Sequence, residues 1–69
     1  MDEQKVFDLM PKVIELAKKQ KAEGSTITVN LLQRRLRIGY ILGAMCMDKM
    51  EELGHVGPFN AVKGREILL

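Results

Sequence analysis

The run Leu32–Leu42, LQRRLRIGYIL, constrains the fold of this chain more than any other stretch. A short amphipathic helical pattern carrying three arginines runs into Ile38-Gly39-Tyr40, and a second helical pattern begins at once. Two helices joined by so short a glycine turn read as a helix-turn-helix, a motif that sets its second helix against nucleic acid. Here, however, the second helix opens with Ile41, Leu42 and Met45 rather than with donors able to read a base edge.

Around this centre the apolar periodicity supplies further elements. Val6, Phe7, Met10, Val13, Ile14 and Ala17 mark one face of a helix with Asp2 as its N-cap. Pro11 interrupts the pattern, so either two short helices meet there or one kinked helix continues to about Lys21, with Gly24-Ser25 ending it. The β-branched run Thr26-Ile27-Thr28-Val29 reads as a very short strand. Asn30 is then the N-cap of the next helix, with Gln33 completing a capping box. The following helix runs from about Ile41 to Leu53 and stops at Gly54. His55-Val56-Gly57 and Arg65-Glu66-Ile67-Leu68 read as two strands, with Pro58 on an edge and Asn60–Gly64 as their loop.

The expected fold is therefore α+β: a winged helix-turn-helix with a three-helix core and a small antiparallel β-hairpin wing. At 69 residues and 46% hydrophobic content, the chain is expected to form one domain with one small core. Its parts are an N-terminal helical segment (1–23), the helix-turn-helix (30–53) and the wing (55–69).

Charge is distributed unevenly. Residues 1–30 balance five acids with five lysines, whereas 31–47 hold Arg34, Arg35 and Arg37 with no acid. Local excess matters more for attracting phosphate than the whole-chain charge of +2. Gln33, Arg34 and Arg37 fall on the side of their helix opposite Leu32 and Leu36, and arginine's planar fork suits phosphate. Lys63 and Arg65 fall on the wing, where they either touch phosphate or are simply solvated. Tyr40 either stacks on or donates to a phosphate, or packs in the core.

Other chemistries find no support in the sequence. Cys46, the single cysteine, reads as a small buried apolar residue, and His55 has no partner at metal-ligand spacing. No nucleophile–base pair, paired carboxylates or glycine-rich phosphate loop is present, so no enzyme, cofactor or metal is expected. No apolar run approaches the roughly 20 residues that span a bilayer, and no signal peptide is read; the expected location is cytoplasmic.

From about Thr28 to Leu68 the chain resembles the C-terminal gamma domain of FtsK-type DNA translocases. The resemblance rests on Gln33-Arg34-Arg35-Leu36-Arg37-Ile38-Gly39-Tyr40, then Met47-Asp48-Lys49-Met50-Glu51-Glu52-Leu53-Gly54, then Val56, Pro58 and Asn60, and finally Gly64-Arg65-Glu66-Ile67-Leu68. It implies a winged helix that recognises short oriented chromosomal sequences and directs a motor. After Gly-Tyr, that family typically continues Asn-Arg-Ala-Ala-Arg, whose polar residues are those implied to read bases. This chain has Ile41-Leu42-Gly43-Ala44-Met45 instead. The positioning residues are kept and the reading ones are not.

Two functions follow from these residues. The first is a non-catalytic module binding double-stranded DNA, with Gln33, Arg34, Arg37, Tyr40, Lys63 and Arg65 on the backbone and Ile41, Leu42 and Met45 facing the groove. The alternative is a protein-interaction or dimerisation module using the apolar Ile41/Leu42/Met45 patch, with the arginines as a polar rim.

Overall fold

The computed structural model of the chain describes residues 2–58 and 64–69. Three helices make up the described architecture: α1 (Asp2–Ala22), α2 (Val29–Leu36) and α3 (Tyr40–Glu52). Both α1 and α2 pack on α3. At about 1.5 Å per residue, α1 is about 32 Å long, which accounts for the 33 Å long axis of the molecule.

Of the alternatives left open at Pro11, the structure adopts one continuous helix. Pro11 removes the hydrogen bond that would reach the Phe7 carbonyl, a defect worth about 3 kcal/mol in a helix interior. The helix persists because Met10, Val13 and Ala17 are buried on either side of it, and Pro11 itself is exposed. α1 and α3 end alike. Ser25 and Gly24 donate to the Gln20 and Lys21 carbonyls, and His55 and Gly54 to those of Met50 and Glu51, a Schellman closure in each case.

α2 is capped two residues before the expected Asn30. Thr28 is the N-cap, extended at φ −135°, ψ 159°, and its hydroxyl accepts from the Leu31 amide at 3.1 Å. Asn30 and Gln33 lie inside the helix, so no capping box forms there. Val29, counted above with a strand, is the first helical residue.

The winged-helix expectation is overturned. Among the described residues there is no β-strand, only two isolated antiparallel bridges, Ile27 with Arg65 and Val56 with Ile67. The reason is geometric: the segment 64–69 divides its pairing between two partners. Ile27 and Arg65 exchange both backbone hydrogen bonds, whereas Gly57 donates to Glu66 and Leu68 to His55. Neither pairing extends into a ladder. The described residues form a three-helix bundle rather than an α+β fold with a hairpin wing, and neither the winged-helix nor the helix-turn-helix description is supported among them. The expected wing loop lies mostly outside the described residues, Lys63 included.

One apolar core unites these parts. Val13, Ala17, Ile27, Leu32, Cys46 and Met50 have no exposed surface, and Met47 and Val56 almost none. α3 approaches α2 closely at Gly43, where a Cβ would lie 3.1 Å from Val29 Cγ1. Met47 and Met50 of α3, with Cys46 beside them, belong to that core.

Candidate interaction surface

The surface of interest starts where α3 starts. Gly39 caps that helix without a side-chain hydrogen bond, and Tyr40 and Ile41 occupy its first turn. Tyr40 is 65% exposed and Ile41 71%. Leu42 and Met45 are less open than the sequence suggested, being half-buried against the core. Ile41 and Met45 stand one turn apart on α3 and so share a face.

A shallow groove of ≈ 470 Å³ lies between α1 and α3, and Met45 lines it together with Val6, Phe7 and Met10. Phe7 is 73% exposed. The sequence reading grouped it with the buried face of α1, but at helical periodicity it sits about 90° from the centre of that face. Val6, Met10, Val13 and Ala17 already complete a buried stripe, and that regular spacing was the signal that Phe7 is surplus to the core. The apolar surface around this groove thus involves two helices, with exposed Ile41 and half-buried Met45 on α3 and exposed Phe7 on α1; Leu53 and Leu68 are exposed as well.

The basic residues occupy different environments. Arg34 is exposed on α2 and Gln33 is half-buried. Arg37 lies beyond the end of α2 in the left-handed region, at φ 56°, ψ 48°, so it leaves the helical line that would align it with Gln33 and Arg34. Arg65 is tied down inside the molecule: its guanidinium is 2.7 Å from Glu51 Oε1 and 3.7 Å from Asp48 Oδ1, and its side chain is 12% exposed. Those contacts pin the final segment to α3. Burial pushes the Cys46 thiol above its ordinary value, consistent with an inert packing residue. Among the described residues no group of acids, cysteine or histidine is arranged to hold a metal, and no helix is long and apolar enough to cross a membrane.

Comparison with known proteins fixes the lineage. The family described as the Ftsk gamma domain matches residues 8–69. This chain belongs to that family. It is 54% identical over 44 residues to the DNA translocase SpoIIIE of Bacillus subtilis, covering 64% of this chain and 6% of that protein. It is also 39% identical over 64 residues to the DNA translocase FtsK of Oceanobacillus iheyensis, covering 93% of this chain and 8% of that protein. The corresponding protein of Borreliella burgdorferi is 38% identical over 64 residues, 93% of this chain and 7% of its own length. The chain therefore spans less than a tenth of the length of these relatives. No solved structure matches it.

The gamma domain is a non-catalytic module, and this chain is not an enzyme. The resemblance noted in the sequence is thus correct as to family but needs correction as to architecture, since the winged helix it implied is absent from the described residues. The DNA-reading function loses its premise for the same reason. It required a hairpin wing beside a reading helix; the described residues build no hairpin, and the first turn of that helix exposes tyrosine and isoleucine.

Proposed function

We propose that this chain is a protein-interaction module whose contact surface is the apolar start of α3, Ile41 with Leu42 and Met45, bordered by Tyr40. The observation that carries this reading is the 71% exposure of Ile41 in a chain that buries aliphatic side chains wherever its helices meet. An exposed cluster of large apolar groups, rimmed by charge, is the usual mark of a surface that another protein covers. Arg34 and Arg37 serve as the polar rim, and Arg65 holds the final segment in place behind α3. The relatives are named DNA translocases. The module accordingly works beside such a motor, in the cytoplasm, by contacting protein.

Sedimentation and titration of the chain, alone and with candidate motor-associated proteins, test the reading. Ile41→Asp with Met45→Asp is expected to abolish association while leaving helical circular dichroism intact. If instead the chain binds duplex DNA at low salt, loses that binding in Arg34→Ala with Arg37→Ala, and is indifferent to Ile41→Asp, the interaction reading is overturned.

A further inference from the structure

The groove between α1 and α3 carries a charge pattern that the apolar patch alone does not explain. Its floor is Val6, Met10 and Met45, with Phe7 exposed at the side. Its titratable rim comprises Glu3, Asp48 and Glu52 against the single ammonium of Lys49, which lies 3.6 Å from Glu52. Asp48 is also paired with Arg65, whose guanidinium is shared with Glu51, so these four carboxylates against Lys49 and Arg65 keep a net negative charge beside the apolar trough. That sign opposes the formal charge of the whole chain, which is +2. Position is as telling as charge: Met45 belongs both to the groove and to the helix face that Ile41 begins, so groove and patch are continuous.

We propose that this groove receives a basic amphipathic helix from a partner protein. The inference rests on the interaction reading above and adds the partner's chemistry. An open trough with an apolar floor fits the helix-in-groove mode, in which side chains spaced three and four residues apart enter the floor. Lysine or arginine on the flanks of that helix meets Glu3 and Glu52, which steers its approach and disfavours acidic competitors. Phe7 and Met45 are the anchors, because an exposed aromatic ring and a flexible thioether adapt to an incoming apolar face.

The test uses two synthetic helical peptides of about four turns, each with leucine on one face. One carries lysine on the other face and the second carries glutamate. Each is titrated into the isotope-labelled chain while amide signals are followed. The leucine–lysine peptide is expected to shift Phe7, Met45 and Glu52 and to bind at least about tenfold more tightly than its acidic counterpart, with the preference weakening as salt rises. Phe7→Ser is expected to weaken it by about tenfold. Glu3→Lys with Glu52→Lys, both at exposed positions, is expected to abolish the preference for lysine. Equal binding of the two peptides, or shifts confined to Arg34–Arg37, overturns the proposal. So does concentration-dependent broadening of Phe7 and Arg34 together without peptide, which would make a second copy the occupant. If Ile41→Asp abolishes association with a protein partner while neither peptide enters the groove, the interaction reading stands and only this assignment falls.

Discussion

Gly64 illustrates how a single residue can be required by both backbone and space. Its φ is +77°, a region that costs an L-residue about 1–2 kcal/mol. A Cβ there would also lie 2.9 Å from Thr28 Cγ2 and 3.0 Å from Thr26 Oγ1. Gly64→Ala is therefore expected to destabilise the chain by about 2 kcal/mol or more, read as a lower urea midpoint at unchanged slope. A neutral result would mean that residues 26–28 relax freely, and that the Ile27–Arg65 bridge contributes little. Arg37 occupies similar backbone space without being glycine, and its left-handed conformation ends α2. The sequence places Arg37 among helical residues because arginine carries no stop signal of its own.

At the scale of elements, α1 and α3 were legible from apolar periodicity and from the glycines that follow them. The start of α2 was not. Thr28 and Asn30 are both good capping residues, and which one acts depends on where Ile27 must lie. Ile27 is fully buried and paired with Arg65, so the chain stays extended through Thr28 and turns helical at Val29. That long-range pairing agrees with the β-branched composition of Thr26–Thr28, and only Val29 passes to the helix. Thr28→Ala is expected to cost about 1 kcal/mol in thermal or chemical unfolding, whereas Asn30→Ala, at an exposed position inside the helix, is expected to be neutral or slightly stabilising. The opposite ranking would return the cap to Asn30.

At the scale of the whole molecule, the final segment is bound to the bundle by the buried Ile67 side chain, by backbone hydrogen bonds of Arg65, Glu66 and Leu68, and by the ion pairs of Arg65. Its hydrogen-bonded pairing with Glu51 is only partly shielded, so its contribution is discounted to about 1 kcal/mol. Arg65→Ala is expected to lower stability by that amount and to speed amide exchange at Gly57 and Leu68, while α1 exchanges as before. Uniform acceleration across all three helices would show instead that the segment is integral to the cooperative core.

The amino-acid sequence was sufficient for the three helices, their buried stripe and the family, because apolar spacing and glycine stops act over only a few residues. The run from Leu32 to Leu42 also placed the apolar groups Ile41 and Leu42 at the start of the third helix. Tertiary structure alone decided that 64–69 splits its pairing and builds no hairpin, that Arg65 turns inward to Glu51, and that the exposed Phe7 shares a groove with Met45. Each of those outcomes depends on which distant segment pairs best with a limited set of hydrogen-bonding and apolar partners. Local pattern carries no record of that competition.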